Sequence, residues 1–370
     1  MFSTHSDKLE RWLGPNEVDR ISGSMKGWYG PPIAVANIPG SKVYATADGD
    51  FIGEIAAGGM MSLFEFQLDR IKRAFTRWNR RQLHQFNMGF TSLSDLIAEA
   101  SSGKRQELFY QKVGTTGVVN ATNSLFRVGN QPAAGSAASA APGGIAPTSA
   151  TTGALPFNNA TGGDTLHFVS GNTLSSVAAN SLLLYDRIFA VAKTMNSAAT
   201  EAVTGVPTRY QNTTAGTADS AEGNFLFIEC GSALAATAHN WTVCQYTDQS
   251  NNATISLPSV TGNSSNIVNR LDMPAGRWFC PLATGNTGIK ALTQMQCSAA
   301  VASGTIDFVI GHPIAWLPCP VANMICVADG INSAFNLARI FDDACLAFLE
   351  VCKGSTTATT YTGGVTAVSG

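Results

Sequence analysis

The sequence has few charged residues, and this shortage limits the classes of protein it can belong to. Asp, Glu, Lys and Arg together make up 13% of the 370 residues, about half of the share usual in soluble domains. A soluble monomer normally keeps its neighbours away with surface charge. Small neutral residues fill the deficit, so we expect other subunits to cover much of the surface. A sticky secreted β-domain is the alternative.

Two further absences concern membranes and export. The sequence has no run of about 18 apolar residues, which argues against a membrane-spanning helix. Its start, MFSTHSDKLERWLGP, has no basic stretch followed by an apolar one and therefore does not resemble a secretory signal. We expect synthesis in a host cytoplasm and no membrane partner.

The motifs of common catalytic and metal sites are also missing. The chain has no GxSxG, no HExxH and no GxGxxG that opens a helix. None of its cysteines forms a CxxC pair, so we expect neither a metal nor a cofactor. The thiols should be buried as small apolar groups, or else crosslinked once a particle reaches oxidising surroundings. They are Cys230, Cys244, Cys280, Cys297, Cys319, Cys326, Cys345 and Cys352.

The remaining candidates for catalysis are isolated polar residues. Asp164 and His167 could form an orienting pair, but a polar turn that leads into a strand also explains them. Asp342 and Asp343 are adjacent and point in different directions on a helix or a strand, so hydrogen bonds at a turn are the expected role. The sequence therefore predicts no catalytic residues, and it favours a protein that is not an enzyme.

The clearest helical pattern combines an apolar stripe with a basic face. Apolar residues recur at steps of three and four from Phe64 to Trp78, which predicts a helix from about Met61 to Phe86. Six cations within twelve residues of it are candidates for non-specific contact with phosphates of packaged nucleic acid or with an acidic partner. A solvated helical face is the alternative. The six are Arg70, Lys72, Arg73, Arg77, Arg80 and Arg81.

After this helix the sequence changes in character. A second helix should begin at Ser92, with Asp95 as its capping partner, and should end before Gly103. Residues 131–163 carry no charge and are rich in Gly, Ala, Ser, Thr and Pro, which predicts a linker or an extended arm. Beyond it, stretches of β-branched and aromatic residues bounded by turn residues predict strands. Examples are TLHFVS, SLLLYDRIFAVA, GNFLFIECG, GIKALTQMQCS and GTIDFVIGHPIAWLP.

These patterns predict a mainly β fold, with an antiparallel β-sandwich or jelly-roll-like C-terminal domain and a partly α-helical N-terminal arm region. We divide the chain into an N-terminal arm and helical anchoring region (1–112), an extended low-complexity linker or arm (113–163) and a β-rich body (164–370). FNLARIFDDACLAFLEVCKG fits a helix or a strand. STTATTYTGGVTAVSG predicts a last edge strand or a tail that docks on a neighbour.

Several phrases in the C-terminal two thirds resemble structural proteins of tailed-bacteriophage virions. They are PAAGSAASAAPGGIAPTSATTGAL, LLLYDRIFAVAKTMNS, TGNTGIKALTQMQCSAAVASGTIDFVIGHP and IFDDACLAFLEV. The resemblance implies a β-rich body, assembly into oligomers and no cofactor. It implies a capsid-associated subunit, or a neck or tail component, and it supplies no functional residues.

We therefore predict a self-assembling structural subunit located in the virion, a decoration or cement protein of the capsid that binds copies of itself and other virion proteins. One alternative is the major capsid protein of a tailed phage, whose usual fold has an N-terminal arm, a long spine helix and a mixed sheet. Another is a receptor- or carbohydrate-binding adhesin or tail protein, in which Trp241, Tyr246 and Trp278 would stack on sugars.

Overall fold

The computed structural model describes residues 41–45, 51–55, 89–90, 92–331 and 337–370. Of these residues, 40% lie in strands and 3% in a helix, and the sheets are antiparallel, so the predicted mainly β fold is confirmed. The chain divides into two compact units, residues 1–79 and 80–370. The predicted helix at 61–86 and its six basic residues lie outside the described residues.

The first unit contains an antiparallel pair of strands, β1 (Ser41–Ala45) and β2 (Phe51–Ile55). The described part of the second unit contains one helix and seventeen strands. They are α1 (Leu93–Ser101), β3 (Arg105–Val113), β4 (Asn123–Ser124), β5 (Asn130–Gln131), β6 (Leu166–Ser175), β7 (Asn180–Thr194), β8 (Glu201–Ala202), β9 (Phe225–Ser232), β10 (Asn240–Trp241), β11 (Gln245–Asp248), β12 (Ile255–Ser256), β13 (Val260–Thr261), β14 (Ile289–Met295), β15 (Thr305–Cys319), β16 (Ile325–Asp329), β17 (Arg339–Ile340), β18 (Leu346–Val351) and β19 (Thr360–Ser369).

The described part of the second unit contains four sheets. The largest has the strand order β16-β6-β19-β3-β5, with β17 also paired to β6. A five-stranded sheet has the order β4-β18-β7-β15-β9, a four-stranded sheet the order β12-β11-β14-β8, and β10 pairs with β13.

Helix α1 lies where the sequence predicts it. The Ser92 hydroxyl accepts a hydrogen bond from the Asp95 N–H at 3.1 Å, which satisfies one of the free donors of the first helical turn. The helix ends at Ser101, shortly before Gly103, whose φ of +92° favours glycine. Leu96 is its buried residue and packs in a small core with Phe90 and Val368.

Strands β7 and β15 form the centre of the five-stranded sheet, and both of its faces are buried. Their sequences are apolar nearly throughout, which is typical of strands covered on both sides. Leu182 and Leu184 of β7 belong to one hydrophobic core, whereas Leu183 and Tyr185 belong to the other. Successive side chains of one strand therefore fill two different cores.

The smaller of these two cores combines residues of the five- and six-stranded sheets. Tyr110 of β3 and Phe348 of β18 meet there with their ring centroids 4.4 Å apart. Along β3, Leu108, Tyr110 and Lys112 are buried while Phe109 is exposed. The six-stranded sheet therefore has an inner face toward this core and an outer face away from it.

The C-terminal stretch is not the edge strand or docking tail that its sequence suggested. Strand β19 lies between β6 and β3 and pairs with both of them. A Cβ atom on Gly363 would come within 2.0 Å of the Asn172 carbonyl oxygen, so the close approach of β6 requires glycine there. The expectation was wrong because the position of a strand within a sheet depends on partners far away in the sequence. The preceding ambiguous segment forms strands β17 and β18.

The charge-free stretch 131–163 follows the body through turns and isolated bridges. Ile145 and Ala190 exchange two backbone hydrogen bonds of 2.8 and 2.9 Å, and the Leu155 N–H donates to the Leu346 carbonyl at 2.9 Å. Leu155 is fully buried. The division into an anchoring region, a linker and a body stays a prediction. Strand β3, which ends at Val113, belongs to the same sheet as β6 and β19.

Candidate functional site

Asp164 and His167, which the sequence suggested as a possible orienting pair, have separate partners. Asp164 forms an ion pair with Lys104 at 2.8 Å. His167 lies 2.9 Å from the Leu337 carbonyl through Nδ1 and 2.8 Å from the Thr165 hydroxyl through Nε2. The imidazole is thus held by a carbonyl and a hydroxyl, and Asp164 does not orient it.

Asp342 and Asp343 have the turn role that was expected of them. The Asp342 carboxylate accepts a hydrogen bond from the Ala160 N–H at 3.2 Å. Asp343 and Asn159 exchange two hydrogen bonds of 2.9 Å each. Both carboxylates therefore attach the end of the charge-free stretch to the turn before β18.

The cysteines are free thiols, and those that are buried have little reactivity. Six of the eight are buried, and Cys326 and Cys352 are half-buried. Burial raises the pKa of Cys230, Cys319 and Cys345 to about 12, which disfavours the nucleophilic thiolate. Within the described part of the chain, no group of three or more His, Cys, Asp or Glu side chains could hold a metal ion.

A buried ion pair joins Asp186 of β7 to Arg209, which lies in the connection between β8 and β9. The guanidinium donates to the two carboxylate oxygens through Nε and Nη2, each at 2.8 Å, and the Cys345 N–H donates to the same carboxylate at 2.9 Å. Arg209 Nη2 also donates to the Pro147 carbonyl at 3.0 Å. Arg209 thereby connects the charge-free stretch to β7.

A second group of buried charges includes two carboxylates that face each other across strands. Glu229 of β9 lies opposite Asp307 of β15. Arg187 Nη2 donates to Glu229 at 2.8 Å, and Arg127 Nη1 lies 3.4 Å from Asp307. Burial and the nearby Glu229 charge raise the pKa of Asp307 to about 6. Both carboxylates are buried, and the two arginines offset the repulsion between them.

The aromatic residues considered for sugar binding lie mostly in the core. Trp241 and Tyr246 are buried, and Trp278 is half-buried. The Trp241 indole N–H donates to Asp272 at 2.9 Å, and the same carboxylate oxygen lies 2.8 Å from His239 Nε2. Trp241 and Tyr246 therefore present no free ring face to a ligand.

The exposed apolar residues form a more distinctive group. Scattered exposed apolar side chains are normal, whereas a contiguous group marks an interaction surface. One group lies along β16 and its flanking turns, and we call it the β16 patch. Its members and their exposed fractions are Val321 (48%), Met324 (49%), Ile325 (63%), Val327 (67%) and Ile331 (39%).

The β16 patch lies at one end of the outer face of the six-stranded sheet. The pairing register places Val327, Asn172, Gly364 and Phe109 in one row across β16, β6, β19 and β3. Phe109, at the far end of the row, is 69% exposed. This row thus has apolar side chains at both ends, and Gly364 and the exposed Asn172 separate them.

Sequence reasoning missed the β16 patch. The stretch ICVAD is only five residues long and was not identified as a strand. Its alternation of large and small side chains was a weak signal, and nothing in it indicates that the strand lies at an edge. The six predicted cation contacts, from Arg70 to Arg81, lie outside the described residues and stay a prediction.

Comparison with known proteins identifies no relative of this chain. No family model matches it, and neither a curated protein nor a solved structure matches it. Among the described residues, no helix is both long enough and apolar enough to cross a membrane.

Proposed function

We propose that this protein is a self-assembling structural subunit of a virus particle, a capsid-associated decoration or cement protein of a tailed bacteriophage. The observation that carries the proposal is the exposed apolar β16 patch on the edge of a sheet. Exposed apolar edge strands associate with other chains unless they are covered or guarded. Such an edge is expected in a subunit whose neighbours cover it in an assembled particle.

The distribution of charge supports the same proposal. The chain has few charged residues, and several of them, including Asp186, Arg187, Glu229 and Asp307, are buried inside the sheets. Fewer charges therefore remain on the surface to oppose association. A further apolar group is exposed in two loops, at Val118, Val119, Ile267 and Val268, and it gives the subunit a second surface for contact.

The finer architecture belongs to this proposal. We infer that the five- and six-stranded sheets are the two layers of an antiparallel sandwich or jelly-roll-like body. The partly helical N-terminal arm region would anchor this body to the particle. In that role Arg70, Lys72, Arg73, Arg77, Arg80 and Arg81 would contact packaged nucleic acid or an acidic virion protein without sequence readout. The protein would act through binding and not through catalysis.

The test is mass spectrometry of purified particles, with the copy number of this chain measured against the other virion proteins. A copy number close to that of the shell-forming protein supports the decoration role. If this chain is itself the most abundant shell protein, it is the major capsid protein, and a few copies per particle would assign it to the neck or tail. Absence from the particles would refute the virion role.

A further inference from the structure

Two pairs of cysteines have the same spacing in the sequence. Cys319 and Cys326 are seven residues apart, and so are Cys345 and Cys352. In each pair the first thiol is buried and the second is half-buried. Spacing and exposure therefore do not distinguish the two pairs, but the strands that carry them do.

Cys345 and Cys352 lie at opposite ends of β18, which occupies all the residues between them. A strand advances about 3.3 Å per residue, so the Cα atoms of this pair are roughly 20 Å apart. A disulfide requires a separation of about 4.4–6.8 Å. These two cysteines therefore cannot be bonded to each other while β18 is folded.

The other pair flanks a short connection, residues 320–324, which joins β15 to β16. The chain between β6 and β7 holds this connection in place. The Pro320 carbonyl accepts a hydrogen bond from the Ala179 N–H at 3.2 Å, and the Asn323 N–H donates to the Ser175 carbonyl at 2.7 Å. β15 and β16 belong to different sheets but contact each other. The connection therefore returns the chain beside the strand that it has just left, and it brings the cysteines at its two ends together.

Both thiols of this pair face the smaller core, between the five- and six-stranded sheets. Cys319 is a buried member of that core. On β16, Ile325 and Val327 are exposed, whereas Ala328 packs against the same core. Because side chains alternate along a strand, Cys326 lies on the inner face with Ala328. The two side chains therefore enter one core from two strands that contact each other.

The neighbours that the two cysteines share also show that they lie close together. Thr173 is the direct partner of Cys326 on β6, and its hydroxyl contacts the Tyr110 hydroxyl. Burial and, after it, the charge of the Cys319 thiolate raise the pKa of the same Tyr110. Burial and then the Cys326 thiolate raise the pKa of Cys319 to about 12. A charge shifts the pKa of another group only over a short distance.

We infer that Cys319 and Cys326 form an intramolecular disulfide when the folded protein meets an oxidising environment. The bond would close the connection between β15 and β16 and would tie the five-stranded sheet to an edge strand of the six-stranded sheet. The inference goes beyond the proposed function and does not depend on it, because both thiols belong to the same folded chain. In a virion subunit the bond would form after the particle leaves the reducing cytoplasm.

The difference in exposure sets the order of the reaction with glutathione disulfide. The half-buried Cys326, as a thiolate, attacks one sulfur of glutathione disulfide, and one glutathione leaves as a thiolate and takes up a proton. Cys319 then loses its proton and attacks the Cys326 sulfur, which releases the second glutathione. Two protein thiols are oxidised to one disulfide, and glutathione disulfide is reduced to two glutathione thiols. Because the raised pKa of Cys319 leaves little thiolate, the second step should become faster as the pH rises.

The experiment incubates the purified full-length protein with glutathione disulfide, blocks the remaining thiols after unfolding and cleaves the chain after methionine with cyanogen bromide. Cleavage after Met324 separates Cys319 from Cys326. We expect the two fragments that contain these cysteines to stay joined until a reductant is added, as read by mass spectrometry. The uncleaved protein should remain a monomer on a non-reducing gel, because the bond lies within one chain.

Two variants assign the bond to its cysteines. In Cys326→Ser the fragments should separate without a reductant. In Cys352→Ser, which changes the half-buried cysteine of the other pair, they should stay joined as in the wild type. Both substitutions replace half-buried side chains, so both variants should fold. Fragments that separate in the oxidised wild type or in Cys352→Ser, fragments that stay joined in Cys326→Ser, or a covalent dimer of the uncleaved protein would each overturn the inference.

Discussion

Replacing Arg209 with methionine tests whether the buried ion pair fixes the charge-free stretch to the body. The substitution removes two hydrogen bonds to Asp186 and two weaker ones to the carbonyls of Pro147 and Arg187. The Asp186 carboxylate, which is fully buried, would keep only the Cys345 N–H as a donor. Removing one partner of a buried pair costs about 3–5 kcal/mol. We expect a loss of that size in the free energy of unfolding.

The assay is equilibrium unfolding in guanidinium chloride, followed by tryptophan fluorescence and circular dichroism. The matched control is Arg105→Met, which removes an ion pair with Glu107 from an arginine side chain that is 57% exposed. An exposed pair contributes about 0–1 kcal/mol, so this variant should resemble the wild type. Arg209→Lys keeps the charge but not the fork of two donors and should lie between the two. If Arg209→Met and Arg105→Met unfold alike, the assigned role of the buried pair is wrong.

Three further predictions concern pH, packing and thiols. Burial lowers the pKa of His239, but hydrogen bonds to Asp272 and to a backbone carbonyl outweigh it and raise this pKa above its ordinary value. The stability that His239 contributes is therefore complete below about pH 6.5. It is lost as the pH rises through the pKa of the folded state. The unfolding free energy of His239→Asn, compared with that of the wild type from pH 6 to 9, should show a deficit that shrinks with pH, and a constant deficit would contradict this. A Cβ atom on Gly205 would lie 1.7 Å from the Gly143 carbonyl oxygen, so Gly205→Ala should lower the melting temperature, whereas Gly117→Ala, with its nearest atom at 3.9 Å, should not. Alkylation of the native protein should modify at most the two half-buried cysteines within minutes, as read by intact mass, and all eight only after unfolding; fast labelling of a third would contradict the buried positions.

The strands that the sequence predicts best are those whose burial is nearly complete. β7 and β15 are long, apolar and rich in β-branched and aromatic residues, and local sequence is sufficient to identify them. Helix α1 was equally predictable, because Ser92 and Gly103 mark its ends through local hydrogen bonding and backbone geometry. The centre of the fold therefore follows from short-range patterns.

The order of strands within each sheet does not follow from such patterns. The residues of β19 are mostly small or polar, with two glycines, and the strand was expected at an edge. β3 and β6 nevertheless pair with it from both sides. The β16 patch was missed for a related reason. Ile325 and Val327 look like core residues in sequence, and they are exposed because they lie on the outer face of the six-stranded sheet. Which residues are exposed on the surface of this protein depends on pairing between distant strands, and a short stretch of sequence does not show that pairing.

The central position of β19 has a consequence for synthesis on the ribosome. β3 leaves the ribosome first, β6 follows, and the strand that joins them in the sheet is made after both. At about 5–20 residues per second, roughly 10–50 s of translation separate β3 from β19. Once β6 has been made, the edges of β3 and β6 that pair with β19 have no such partner until the end of that interval. Where nascent chains are crowded, a β19 from one chain can complete the sheet of another, and strand exchange between copies would compete with correct folding from the first minute of the protein's existence.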